Sequence, residues 1–242
     1  MNKRLPNGGE RPQFHYSTKD RIDEETGLHV WLLNLDDPVS SNALLSALSM
    51  SEWSRANMLK DNLQRDRFLA RHLYVREVLC SLTGLPPACF EFTKDSCGKP
   101  RVKGFSQYPS DSAKRLSFSV SHSEDLLAVA VTFDQEVGVD LEKVNHEFDP
   151  GSLVAANFPK EDIARIQSLP SEHRALAFYR LWTRREAIGK MMGNGVLPRK
   201  TGETNASSHA RLCTFEYSHK NERVLGAVAL GDHPPSSHSE QP

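Results

Sequence analysis

The sequence predicts an α+β fold built from two similar halves. Residues 28–84, laid without gaps on residues 137–193, are identical at ten of 57 positions, where composition alone would give about three or four. Each copy begins with a strand-like stretch and contains a long helical stretch that stops at a glycine. These stretches are 28–35 and 65–83 in the first copy and 137–144 and 171–192 in the second. We therefore predict a pseudo-twofold pair of halves with a functional site at their junction.

The two halves are expected at 28–125 and 126–231, between two loose arms. Residues 1–27 and 232–242 are polar and rich in turn-forming residues, so they contain too little apolar surface to offset the entropy of ordering them. A further loop is expected at 201–209.

The second half is expected to end in a β-hairpin. Its strands are predicted at 211–218 and 224–230 because both stretches favour extended structure. Lys220 and Asn221 provide the turn between them.

Each long helix carries an arginine among its apolar residues. Arg76 lies between Leu73 and Leu79, and Arg185 falls inside the stripe of the second helix. A guanidinium in such a place must find an anionic partner or extend to an edge. This favours helices that line a cleft.

Composition limits the class of function. The chain of 242 residues has 30 basic and 31 acidic side chains, for a net charge of −1, which argues against a nucleic-acid-binding protein. Apolar runs stay well short of the roughly 18 residues that span a bilayer, so no membrane insertion is expected. Four cysteines at 80, 89, 97 and 213 lack the short spacings of zinc and redox motifs, which predicts reduced thiols in a cytoplasmic protein.

Three carboxylates form the candidate metal site. Asp140 and Glu142 lie two apart on a predicted strand, so they leave the same face. Glu186 lies on the second long helix, four residues before Lys190. In isolation these patterns are typical of solvated acids and a surface ion pair. Together they suit magnesium, which prefers carboxylate and phosphate oxygens.

Two further polar stretches could donate hydrogen bonds to phosphate. Lys99 lies in the turn Gly98-Lys99-Pro100, and Ser121 and His122 follow a strand-like stretch. A solvated turn lysine and a hydrogen-bonded loop histidine are the alternatives. Residues 55–76 form the one strongly cationic stretch, for which a solvated helical face is the alternative.

These motifs together resemble the 4′-phosphopantetheinyl transferases of the long, surfactin-synthetase-activating type. Residues 137–142 (VGVDLE) are similar to the family's G-[VI]-D-x-E strand motif, and residues 182–190 (WTRREAIGK) to its W-[ST]-x-K-E-[AS]-x-x-K helix motif. GKP and SHS follow the family order, and the resemblance runs from about residue 28 to 230. The family's pseudo-dimeric α+β fold agrees with the internal repeat.

The resemblance implies a holo-acyl-carrier-protein synthase. Such an enzyme transfers 4′-phosphopantetheine from coenzyme A to a serine of an apo acyl or peptidyl carrier protein and releases 3′,5′-ADP. Asp140, Glu142 and Glu186 would hold magnesium, or manganese in its place. Carried over by position, the nucleotide and phosphate contacts would be Lys60, Lys99, Pro100, Ser121, His122 and Lys190. Glu186, Lys190 and Glu161 would serve catalysis, with Glu161 as a candidate general base.

Two departures from the family motifs stand out. Arg185 replaces the lysine usual before the helix glutamate, and Glu124 replaces the glycine of an SHSGD-like segment. A monomer is expected, since an internal pseudo-dimer completes its own site. Residues 55–76, Arg55 and Arg67 especially, are the expected contact for an acidic carrier. The alternatives are another magnesium-dependent phosphoryl or nucleotidyl transferase, and a non-catalytic module that binds carrier proteins.

Overall fold

The computed structural model describes residues 27–37, 45–96, 98–103, 115–149, 158–193 and 210–232. Its elements follow in the order β1 (His29–Asn34), α1 (Met50–Met58), α2 (Asn62–Thr83), a 3₁₀ turn (Pro87–Cys89), β2 (Phe92–Lys94), β3 (Pro100–Val102), β4 (Leu116–Ser123), β5 (Leu126–Phe133), β6 (Gln135–Lys143), α3 (Lys160–Gln167), α4 (Ser171–Met192), β7 (Arg211–His219) and β8 (Glu222–Asp232). The predicted α+β class is confirmed. The loop expected at 201–209 and the two expected arms, Gly27 and Asp232 apart, lie outside the described residues.

Two three-stranded antiparallel sheets lie between the two long helices. The first sheet has the order β1-β5-β4 and the second β6-β8-β7. Their facing sides share one core, to which Leu32, Ala128 and Val139 belong. Helix α2 covers the outer face of the first sheet, and α4 packs with Ala187 on the outer face of the second. Both sheets have the same strand order relative to the chain, while the twofold relation between the halves stays a prediction.

The long helices end where the sequence predicts. Gly84 follows α2 with φ of 73°, and Gly193 follows α4 with φ of 76°. Both are left-handed caps, a conformation that glycine adopts without a steric penalty. No helix within the described ranges is long and apolar enough to cross a bilayer.

Arg76 has the anionic partner that its place in the helix requires. It is 2% exposed, and its guanidinium donates to both oxygens of Glu52 at 3.1 and 3.0 Å. Glu52 in turn lies in a capping box with Ser49 at the start of α1. The pair therefore fixes α1 against α2.

A ladder of serines joins the two sheets. The stretch LSFSVSHS in β4 puts four serines on one face of the strand. The hydroxyls of Ser119 and Ser123 accept hydrogen bonds from the β6 backbone amides of Val139 and Lys143, at 3.0 and 3.1 Å. The remaining hydroxyl bonds run from Ser117 to Glu136, from Ser121 to Asp140 and from Ser123 to Glu142. Side chains thus hold β6 beside β4, where no backbone ladder joins them.

Gly138 lets helix α4 approach strand β6 closely. A Cβ atom at this position would overlap the carbonyl oxygen of Ala187 and the amide nitrogen of Met191. Both are backbone atoms, so only a shift of the helix could relieve the overlap. The separation between the acidic strand β6 and helix α4 therefore depends on a glycine two residues before Asp140.

The tight turns use left-handed residues other than glycine. Lys220 and Asn221, with φ of 50° and 67°, form the two-residue turn predicted between β7 and β8, as a type I′ hairpin requires. Glu124 has φ of 52° in the turn between β4 and β5. This is the position where the related motif has glycine, so Glu124 occupies a backbone conformation that glycine adopts more readily.

Candidate active site

A cleft of about 990 Å³ brings six of the candidate residues together, while Lys60, Lys99, Glu161 and Glu186 are not part of its lining. The lining comes from α1, α2, β2, β3, β4, β6 and α4. The walls include Arg55, Arg71, Pro100, His122, Asp140, Glu142 and Lys190. Residues that are up to 135 positions apart in the chain therefore meet in one concavity.

Asp140 lies at the centre of the acidic end. It is 4% exposed, and its Oδ1 accepts hydrogen bonds from Ser121 Oγ and Lys190 Nζ, both at 2.8 Å. Lys190 also donates to Ser121 Oγ at 2.9 Å. Asp140 Oδ2 is buried and accepts no hydrogen bond from the described residues. The serine and the lysine thus fix one carboxylate oxygen and leave the other available.

Glu142 and Glu186 add further negative charge next to Asp140. Burial, then the Asp140 charge, raises the pKa of Glu142 to about 7, and the same two causes raise the pKa of Glu186. Burial also raises the pKa of Asp140, against the opposing effect of Lys190. Burial therefore disfavours the ionised forms of all three carboxyls, and Lys190 offsets this effect only in part.

The acidic end fits a hard divalent cation chemically. Besides Asp140 Oδ2, the buried Oε1 of Glu186 accepts no hydrogen bond from the described residues. Carboxylate oxygens without donors are ligands that magnesium prefers. The described ranges hold no group of three His, Cys, Asp or Glu side chains already arranged to bind a metal. The three predicted ligands are therefore chemically suited to a divalent cation, but their side chains are not already arranged in a metal-binding geometry.

Cations without carboxylate partners line another part of the cleft. Arg55 and Arg71 form no ion pair with a described residue, although both guanidiniums stack over the Phe68 ring. Burial, then the Arg55 charge, lowers the pKa of Arg71. Loss of water around the His122 ring, then the charges of Arg71 and Lys190, lowers the pKa of that imidazole. Uncompensated positive charge in a cleft is suited to an anion.

Arg71 is the residue that sequence reasoning missed. It was included only as one member of the basic stretch 55–76. The available signal was its spacing of four residues from Arg67 and five from Arg76 along a helix, but that spacing does not show which face meets β4.

Lys99 has a different position from the one expected. Its ammonium is buried and donates to Glu136, to the carbonyl of Val137 at 2.9 Å and to the carbonyl of Met191 at 3.0 Å. All three N–H bonds are used inside the protein, so these contacts do not support a role in binding adenosine. Pro100, the next residue, does line the cleft.

Lys60 and Glu161 also lie away from the cleft walls. Lys60 is exposed in the short connection between α1 and α2. Glu161 is exposed in the first turn of α3. Neither residue belongs to the lining of the cleft, so the structure does not bring them to the acidic cluster.

The sequence is similar to those of known proteins. A family model described as the 4′-phosphopantetheinyl transferase superfamily matches residues 136–225. The chain is 34% identical to 4′-phosphopantetheinyl transferase HetI of Nostoc sp. over 171 residues, which is 70% of each chain. It is 29% identical to the putative 4′-phosphopantetheinyl transferase slr0495 of Synechocystis sp. over 69% of this chain and 65% of that one. It is 28% identical to 4′-phosphopantetheinyl transferase psf-1 of Bacillus pumilus over 62% of this chain and 59% of that one.

Proposed function

Because the chain belongs to the 4′-phosphopantetheinyl transferase superfamily, we propose that its cleft moves 4′-phosphopantetheine from coenzyme A to a serine of an apo carrier protein. The observation that carries this proposal is the pairing of opposite charges in one cavity. Asp140, which lines the cleft, has one buried carboxylate oxygen without a donor, and cations without carboxylate partners among the described residues lie near Arg71. Coenzyme A is a polyanion, so a divalent cation and direct cationic contacts would both neutralise its phosphates.

Asp140, Glu142 and Glu186 are the proposed magnesium ligands. When bound by these residues, magnesium would supply neutralisation of the negative charge on the reacting phosphate oxygens. The donor-free oxygens of Asp140 and Glu186 and the raised pKa of Glu142 support this assignment. Ser121 and Ser123 orient Asp140 and Glu142 through their hydroxyls.

The cationic wall is proposed to hold the nucleotide end of coenzyme A. His122 and Arg71 line the cleft and have no carboxylate partner among the described residues, so both can donate to phosphate oxygens. Pro100 is an apolar neighbour for the adenosine portion. Lys190 lies between the two ends, where its ammonium holds Asp140 and Ser121 and faces the phosphates.

The reaction itself is a displacement at phosphorus. The carrier serine Oγ forms a bond to the β-phosphorus of coenzyme A, and the bond from that phosphorus to the bridging oxygen breaks, so 3′,5′-ADP leaves. The serine loses its proton to a carboxylate. Glu186 is our candidate acceptor: its Oε1 is the proposed metal ligand, so its second carboxylate oxygen would take the proton.

Mass spectrometry of a panel of apo carriers tests this function. Acyl and peptidyl carriers are incubated with the enzyme, coenzyme A and magnesium. We expect at least one carrier to gain the mass of one phosphopantetheine, and the same carrier with its serine changed to alanine to stay unmodified. If every carrier keeps its apo mass while a known transferase modifies the same panel, the proposed function is wrong.

A further inference from the structure

The exposed large apolar side chains of the described residues all lie in one segment of 19 residues. Met50 is 81% exposed and Met58 is 78% exposed. The other members of this group are Leu45, Leu59 and Leu63. Single exposed apolar residues are common, but a group confined to α1, the residues just before it and the start of α2 indicates a contact surface.

Helix geometry places this group beside the mouth of the cleft. Met50, Ser54 and Met58 are spaced by four residues, so they form one row along α1. At 100° per residue, Ser51 and Arg55 lie just around the helix from that row, and both line the cleft. Glu52 and Ala56 are buried on the far side. The methionine row is therefore a continuation of the cleft wall onto the outer surface.

Basic side chains outnumber acidic ones around the row, with Arg55, Lys60 and Arg65 against Asp61 and Asp66. Among the described residues, Arg55 and Lys60 form no ion pair, and Arg65 pairs with the neighbouring Asp66, at 3.7 Å. Asp61 caps helix α2 through the Gln64 amide. Methionine and arginine are both enriched in the contact areas of protein interfaces. The surface thus suits a partner that is acidic and has apolar side chains among its acids.

We propose that Met50, Met58, Leu59 and Leu63, with Arg55 and Lys60, form the docking surface on which the apo carrier protein sits while its serine enters the cleft. We call this group the α1 surface. The inference rests on the proposed function, because that function supplies an acidic partner that must reach Asp140 from outside. A second copy of the chain is a poorer occupant, since two α1 surfaces would bring like charges together.

The α1 surface differs from the one that the sequence alone favours. The sequence predicts a contact of Arg67 with the carrier, but the Arg67 guanidinium makes two hydrogen bonds to Asp36, at 2.7 and 2.9 Å. This bidentate pair holds α2 to the end of β1, so the Arg67 guanidinium is already paired within the protein and is not available to the carrier. Arg55 remains from the earlier expectation, and the apolar row is the new component.

Calorimetric titration with apo carriers tests the α1 surface, since it reads docking without catalysis. We expect the double variant Met50→Glu with Met58→Glu to weaken the carrier Kd at least about tenfold, because it removes apolar contact and opposes an acidic partner. The double variant Met50→Leu with Met58→Leu keeps the apolar contact and should bind within about twofold of wild type. Coenzyme A affinity should be unchanged in both.

The matched control adds the same charge elsewhere. Ala164→Glu with Gln167→Glu changes two exposed positions of α3 and should leave the carrier Kd as it is. An unchanged Kd in the methionine-to-glutamate variant, an equal loss in the α3 control, or a variant that only dissociates a dimer of this chain would each overturn the proposal. Carrier binding that depends on the methionines but leads to no transfer would instead overturn the proposed function.

Discussion

The Nζ atom of Lys99 lies 3.0 Å from the carbonyl oxygen of Met191, so a lysine before β3 closes the last turn of helix α4. The same ammonium donates to the carbonyl of Val137 in β6 at 2.9 Å and to the carboxylate of Glu136. Strand β6 carries Asp140, and helix α4 carries Glu186. Lys99 therefore ties together the two elements that hold the acidic cluster, and we assign it a positioning role.

Replacement of this lysine separates the positioning role from nucleotide binding. Lys99→Met removes the donor to the carbonyls of Val137 and Met191, while Glu136 keeps Arg101 and Ser117 as donors. This loss should cost about 1–3 kcal/mol of the free energy of unfolding. We expect kcat to fall while the calorimetric Kd for coenzyme A stays within about twofold. If the variant folds, as judged by circular dichroism, and loses coenzyme A affinity at unchanged kcat, Lys99 contacts the adenosine portion, as the sequence suggests.

Gly138 offers a test of the spacing between β6 and α4. The added methyl of Gly138→Ala would meet backbone atoms of α4, so we expect a lower Tm and a loss of transfer. Gly231→Ala is the matched control, because its methyl would meet only the flexible side chain of Met191, with Sδ at 2.8 Å. Equal Tm values for the two variants would show that the close approach at Gly138 does not set this spacing.

The acidic cluster predicts a joint loss of magnesium binding and transfer. Asp140→Asn and Glu186→Gln keep the side-chain shape but remove a carboxylate charge. Each should lower kcat by at least about 10²-fold, as expected for the loss of one electrostatic stabiliser, and should weaken magnesium binding in calorimetry. Glu172→Gln, at an exposed position at the start of α4, should change neither value. Near-normal turnover of Asp140→Asn at limiting magnesium would remove Asp140 from the metal site.

The buried pair of Glu52 and Arg76 predicts how stability depends on pH. Burial alone would raise the pKa of Glu52, but hydrogen bonds from His72, the Ser49 amide and Arg76 outweigh it and hold that pKa far below its usual 4.5. A lowered carboxyl pKa stabilises the fold above the unfolded value, and this contribution is lost as the pH falls. We therefore expect Tm to drop as the pH decreases below about 4.5.

Substitution at Glu52 checks the origin of that pH dependence. Glu52→Gln leaves the Arg76 charge buried without its partner, so the free energy of unfolding at neutral pH should fall by about 3–5 kcal/mol, and the acid dependence should flatten. Glu91→Gln breaks a solvent-exposed pair with Lys103 and should cost at most about 1 kcal/mol. If the Tm of Glu52→Gln falls with decreasing pH as much as the Tm of wild type does, other carboxylates cause the acid dependence.

Several features of the fold can be predicted from sequence because their causes are local. The helical periodicity of the apolar residues and the glycine after each helical stretch predict the two long helices. The turn residues Lys220 and Asn221 predict the hairpin. The need of Arg76 for an anion follows from its place in an apolar stripe. None of these predictions requires knowledge of which distant segments meet.

The rest depends on contacts between distant segments. The alternation of serines in β4 is visible in the sequence, but their bonds to β6 depend on which strand lies beside β4. In the sequence, Lys99 is typical of a solvated turn. Its acceptors, the carbonyls in β6 and α4, lie 38 and 92 residues later in the chain. Arg71 joins His122 only because α2 packs near β4. Such pairings are set by tertiary packing, which local patterns do not contain.

The most direct test of the central claim is the stoichiometry of one round of transfer. Enzyme, coenzyme A, magnesium and a carrier that the enzyme modifies are mixed under single-turnover conditions, and 3′,5′-ADP and modified carrier are quantified together. We predict one 3′,5′-ADP for each carrier that gains phosphopantetheine, with both products absent when the carrier serine is alanine. Release of 3′,5′-ADP without a modified carrier, or a carrier that gains a nucleotide mass instead, would contradict the account.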